Sequence, residues 1–214
     1  MKKSASFLIL SFLFISIQAN SFQKIDEWLL EREKKGIKIF TKKGRWGKLK
    51  DSKAVMFLHT SKEQVLKILL DYNAYPSWVP RCKDSKIIAR IGEDEFIAHL
   101  TFNAPWPVAN RDCVERVKIE RNEATKTTIM HITSDPKYLS PVEGVVRIEK
   151  MIAYWKIVEK ADGVEVTNEY ASDPGGSLPD WVVNAQSVEG PYETFTSIQN
   201  KIPTPIKYPK VSPR

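Results

Sequence analysis

From Asp84 to Ser172 the chain alternates apolar and polar residues at a period of two for about ninety residues, the repeat of a half-buried strand. The strand candidates are Asp84 to Ile91, Glu95 to Phe102, Arg111 to Glu120, Lys126 to Thr133, Val142 to Lys150, Ile152 to Lys160 and Val164 to Ser172. Between them stand GED, NAPWPVAN, RNEAT and ADG, all rich in turn formers. Sequential strands joined by such short links pair antiparallel, so the pattern predicts one long antiparallel sheet with one face to bury.

What covers that face follows directly. Ser172 to Asn184 reads SDPGGSLPDWVVN. Asp173-Pro174-Gly175-Gly176 is a chain reversal, Ser177 is a good N-cap, and Pro179 falls in the first helical turn, where a missing N–H costs little. From Trp181 apolar residues recur at Ala185, Val188, Tyr192, Phe195 and Ile202, with Ile198 close by, a spacing that predicts a long amphipathic helix. Gly190-Pro191 removes a backbone donor and predicts a bend or a split. The economical α+β solution is a sheet curled around this helix, and a curled sheet encloses more volume than one helix fills, which leaves an internal apolar cavity.

Ahead of the alternation, Ile25 to Lys34 spaces its apolar and charged residues as a short helix would. GIKIFT and AVMFLH read as strands, and Thr60-Ser61-Lys62-Glu63-Gln64 is a capping box at the head of the helix VLKILLDY, which YPSWVPRC ends. The first 20 residues have Lys2 and Lys3, an apolar run from Phe7 to Ile17 and small or polar residues near Ala19. That order reads as a secretory signal peptide, so a secreted or periplasmic location is expected. Residues 21–202 then form one domain, and residues 203–214 are a proline-spaced basic tail.

Charge and cysteine content narrow the classes. The formal charge of +7 falls by two when Lys2 and Lys3 are removed, and the rest is interspersed with acids, a mixed solvated surface rather than a nucleic-acid footprint. Weak attraction to an anionic membrane surface fits the same charge. Cys82 and Cys113 fall two strands apart at about 4.8 Å per strand, beyond comfortable disulfide reach. His59, His99 and His131 stand apart, so no metal site or cofactor is expected. Nothing in the chain matches a nucleophile elbow, a glycine-rich phosphate loop or CxxC.

Three blocks, DYNAYPSWVPRCKDSKII, PWPVANRDCVERV and DPGGSLPDWVVN followed by GPYETF, resemble the START (steroidogenic acute regulatory protein-related lipid transfer) domains in their bacterial, exported form. The resemblance runs from about Lys24 to Ile202. It implies a helix-grip fold with a tunnel for one lipid or other apolar molecule, lidded by the last helix and by the loop that here reads NAPWPVAN. On that view Gly175 and Gly176 belong to a hinge and Trp181, Ala185 and Val188 to the lid; the alternative is that DPGG is only a tight connection. The resemblance also implies that Arg111 pairs with an acid on the neighbouring strand, where Leu100 stands instead.

Strand alternation places Phe96, Ala98, Leu100 and Phe102 on the inner face of one strand and Arg111, Cys113, Glu115 and Val117 on that of the next, and these eight are the candidate ligand contacts. A buried Arg111 needs a partner, with Glu115 one choice; at the sheet rim it would need only water. Two roles fit Trp106: an interfacial anchor that touches a bilayer, or a plug beneath its loop. Trp78 and Trp181 read as core. The function expected is that of a monomeric carrier enclosing one lipid, with transient membrane contact. The rival readings are a helix-grip cyclase or hydrolase using Glu115 or Tyr170, and an exported interaction module.

Overall fold

The computed structural model describes residues 27–46, 49–176, 178 and 180–202, the last with backbone only for 180–186. The expected signal peptide, the basic tail and the Ser177 cap with Pro179 lie outside the described residues. The chain opens with a hairpin of β1 (Leu29–Lys34) and β2 (Ile37–Lys42), followed by β3 (Asp51–Leu58). The helix expected over Ile25 to Lys34 is therefore a strand where it is described. Lys35 and Gly36 both have positive φ, 52° and 75°, which is what a tight two-residue hairpin turn requires. Gly36 takes that conformation freely, and pairing with β2 satisfies the backbone. The charges spaced like a helix face are those of an exposed edge strand.

Helix α1 (Lys62–Leu70) starts where the capping box predicts, with the Ser61 side chain accepting from the Gln64 N–H at 3.2 Å. A 3₁₀ segment, Tyr72–Ser77, then carries Tyr72 and Tyr75 into the interior. Strands β4 (Cys82–Arg90), β5 (Glu95–Phe102), β6 (Asn110–Asn122) and β7 (Thr127–Ser134) follow as a meander. The strand expected over Val142 to Lys150 shrinks to β8 (Val145–Arg147), which pairs parallel with β6 at the sheet margin. Long β9 (Lys150–Lys160) and β10 (Gly163–Asp173) complete the set before α2 (Asp180–Lys201).

Apart from β8, the sheet runs β1-β2-β3-β10-β9-β7-β6-β5-β4, antiparallel at every step. Two joins skip the next strand in sequence. β7 pairs with β9 because β8 is drawn aside onto β6, and β3 pairs with β10, which brings the first third of the chain against the last strand. Helix α2 lies against β2 and β3, with Phe195 and Ile198 fully buried and Phe195 stacked on Trp155 at 5.5 Å between ring centroids. It passes through Pro191 as one helix, so of the expected bend or split the split does not occur.

The grip of sheet on helix is concentrated at Phe195. Phe195→Ala is expected to lower the unfolding free energy by about 3–5 kcal/mol, read as a fall in denaturant midpoint at unchanged m-value. A loss below about 1 kcal/mol would mean that the helix is not held by this face.

Candidate functional site

At the end of the sheet where β6 begins and β10 finishes, α2 stands off the strands and leaves a chamber of about 270 Å³. Much of its wall is apolar: Leu49, Val79, Phe102, Ile148, Trp155 and Pro191. Helix α2 contributes Gly190, Pro191 and Thr194 here, none of them bulky, whereas Phe195 and Ile198 fill the neighbouring core. The Gly-Pro step thus falls on the hollow side of the helix. Pro105, from the NAPWPVAN loop, borders the same space.

One wall is polar. Asn168, Tyr170 and Ser172 come from a single face of β10, and Arg111 faces them from the head of β6. Arg111 is 7% exposed. Its guanidinium donates to three backbone carbonyls: Nη1 to Ala109, Nε to Pro174 at 3.4 Å and Nη2 to Gly175 at 3.2 Å. Burial pulls its pKa down from the ordinary value, but an arginine stays charged. Its partner is therefore the DPGG turn. Gly175 and Gly176 have φ of 66° and 65°, a region that side chains strain to enter, and the Gly175 N–H also returns to Asp173 Oδ1 at 3.1 Å. The Ser172 hydroxyl is fully buried without a hydrogen-bond partner among the described residues.

Asp112, next in the chain, points to the other side of β6. It accepts two 2.8 Å hydrogen bonds from Arg147 and lies 2.9 Å from His99 Nε2. Arg147 also donates to the carbonyls of Pro136, Leu139 and Ser140, which closes the loop before β8 and presents Ile148 to the chamber. Burial raises the Asp112 pKa, but the hydrogen bonds and charges of Arg147 and His99 outweigh that and hold it below the ordinary aspartate value.

A curved sheet wrapped on its last helix over such a chamber is a recognisable arrangement, and the START domain model matches residues 22–194. The chain belongs to the START domain family. A STAR-related lipid transfer protein from Xanthomonas axonopodis, solved as a fragment, is 31% identical, with 81% of this chain and 97% of that one covered and a TM-score of 0.74. Human StAR-related lipid transfer protein 5 is 16% identical, with 84% and 88% covered at a TM-score of 0.72, a likeness of fold alone. An uncharacterised protein of Pseudomonas aeruginosa is 28% identical over 176 residues, 82% of this chain and 86% of that one.

Within this START fold the residues expected to meet a ligand divide. Phe102 and Arg111 line the chamber. Phe96, Ala98, Leu100, Cys113 and Val117 do not; they are buried in the continuous core away from it, with Phe96 edge-on to Tyr72 at 5.3 Å. Glu115 is also outside the chamber wall, and it accepts from the Tyr72 hydroxyl at 3.3 Å instead of pairing with Arg111. The physical reason is that Tyr72 and Tyr75, stacked at 4.5 Å, fill the hollow over this part of the sheet. The residue opposite Arg111 on β5 is Phe102; Leu100 lies opposite Cys113. Cys82 and Cys113 are both buried and free.

Trp106 is 92% exposed, so it does not plug the core. Val188 is half-buried against the core, and the side chains of Trp181 and Ala185 lie outside the described residues. Asn168, Ser172 and Leu49 were not among the expected ligand contacts, and Tyr170 was named only as the acid or base of the rival enzyme reading. Asn168 and Ser172 were legible as polar members of the face that carries Val164 and Val166; Leu49, between strands, gave no signal.

Glu115 yields a pH prediction. Burial raises its pKa from the ordinary 4.5 to about 7, with the Tyr72 hydrogen bond opposing only in part. Its folded pKa exceeds its unfolded one, so its contribution to stability is complete below the unfolded value and is lost as pH rises through the folded value. Between about pH 5 and pH 7.5 the native chain is expected to lose up to about 3 kcal/mol relative to Glu115→Gln. Equal slopes for the two proteins in denaturant titrations would contradict this.

Proposed function

We propose that this START domain is an exported carrier that encloses one apolar molecule in the chamber between sheet and helix and exchanges it with membranes. The observation that carries the reading is the chamber itself: a largely apolar wall with a polar patch at one end, sized for a small guest. The Xanthomonas relative's description as a lipid transfer protein supports the same reading. Export rests on the basic, apolar and small-residue order of the first 20 residues. Among the described residues no helix is long and apolar enough to cross a membrane.

A carrier fits the chamber's chemistry better than an enzyme does. Among the described residues its wall holds no carboxylate, histidine or thiol; Glu115 is turned to Tyr72 outside it, and Tyr170, the other candidate acid or base, lines it but is held protonated by burial. Exchange with a membrane is supported by Trp106, an exposed aromatic between two prolines on the loop whose Pro105 borders the chamber. The reading assumes a single copy of the chain acting alone.

Freshly isolated protein is expected to show an added mass in native mass spectrometry that organic extraction removes. Thr194→Phe, which puts bulk into the chamber, should abolish the adduct while the protein stays folded. Trp106→Ser should slow transfer between vesicles several-fold and leave the bound fraction unchanged. Folded protein that carries nothing and takes up nothing from a broad lipid panel would contradict the reading.

A further inference from the structure

The size of the chamber and the chemistry of its polar wall restrict the guest further, on the reading that the chamber is the lipid site. At about 10–15 Å³ of chamber space for each water-sized group, a chamber of 270 Å³ holds about 20 such groups. Because the chamber is open at one side, a chain can run a few carbons beyond that. A two-chain phospholipid has more than twice as many heavy atoms, too many for this enclosure. A single chain of medium length fits.

The polar end asks for an acceptor. A guanidinium has five N–H bonds, and three of those of Arg111 are used by Ala109, Pro174 and Gly175. Two therefore have no acceptor among the described residues. Ser172, on the same wall, has a buried hydroxyl with no partner among them either. Burial pushes the Tyr170 hydroxyl pKa up, with the nearby Ser172 side chain opposing only in part, so it too stays protonated and able to donate. Unmet buried donors are costly, and their convergence marks a place built for a group that accepts.

That group should also be anionic. Arg111 has no carboxylate opposite it: Phe102 is its cross-strand neighbour, Asp112 is committed to Arg147 and His99 on the other side of β6, and Glu115 is bonded to Tyr72. Among the described residues the chamber wall brings arginines, Arg81 and Arg111, and no acid. The carbonyls hold the guanidinium in place but leave its charge unpaired, and a carboxylate matches both its charge and its planar donor array. We propose that the chamber takes a single-chain amphiphile with a carboxylate head, such as a medium-chain fatty acid, seated with the head at Arg111 and Ser172 and the chain toward Trp155 and Pro191.

The test is calorimetric titration of the delipidated full chain with dodecanoate, dodecanol, methyl dodecanoate, a lysophosphatidic acid of equal chain length, cholesterol and phosphatidylglycerol vesicles, each single-chain probe below its micellar concentration. Dodecanoate is expected to bind with one-to-one stoichiometry and at least about tenfold more tightly than the alcohol or the ester. Ser172→Ala removes a small buried hydroxyl; it should fold as the native chain does and weaken dodecanoate at least about fivefold, and dodecanol by less. Arg111→Lys, which keeps the charge and loses the fork, should weaken dodecanoate more. Equal affinity for the alcohol, or for the phosphate-headed lipid, would overturn the carboxylate assignment while the carrier reading stands. Binding of cholesterol or phosphatidylglycerol with none of any single-chain probe would overturn the single-chain assignment and again leave the carrier reading. No uptake of any probe by folded protein would overturn both.

Discussion

A buried guanidinium with no carboxylate opposite it must be met by other acceptors, and in this chain the backbone supplies them. Arg111 holds the carbonyls of Pro174 and Gly175 from the head of β6, so the turn leaving the sheet is pinned to a strand three positions away in the sheet order. Two glycines at positive φ let that turn present its carbonyls toward the side chain. The path of the chain into α2 depends on this anchorage. The turn at the base of α2 is thus held by a charged group that borders the chamber.

The hollow survives because the large residues that could fill it are used elsewhere. Tyr72 and Tyr75 occupy the concavity above β5 and β6, Phe195 and Trp155 stack at the middle of the grip, and the helix turns to Gly190 and Pro191 where it passes the open end. On the outer side of β6, Asp112 and Arg147 perform the complementary task. Their paired charges, each nearly inaccessible to water, fix the loop that delivers Ile148 to the chamber wall. Removing one partner of such a pair leaves an uncompensated buried charge, so the wall's position rests on both. Arg-Asp at the head of one strand thus sends a cation inward and an anion outward, each serving a different loop.

Much of the fold was legible in the sequence because period-two alternation fixes strands and faces locally. β5 and β6 fall within two residues of their expected ends, and the capping box places α1. What escaped was decided at long range. Leu29 to Lys34 has the spacing of a helix but becomes an edge strand because β2 offers it a ladder. Val142 to Lys150 has the alternation of a strand, yet only Val145–Arg147 pairs, beside β6, where Arg147 meets Asp112. The pairing of β3 with β10 joins residues more than a hundred apart, and no local pattern encodes it.

The site was legible in part for the same reason. Alternation correctly turned Phe96, Ala98, Leu100, Cys113 and Val117 inward, but an inner face is covered partly by the 3₁₀ segment and partly by α2, and the pattern does not say which. Only Phe102 and Arg111, at the strand ends, reach the space beside α2.

Uptake of any guest requires that space to be empty of protein. Xenon settles against apolar walls such as those of Trp155, Phe102 and Pro191, so the most direct measurement is a crystal of the delipidated chain pressurised with xenon and read by anomalous scattering. Ordered xenon between Trp155, Phe102 and Pro191 is the predicted result. Side chains packed through that volume, with no xenon inside the fold, would contradict it.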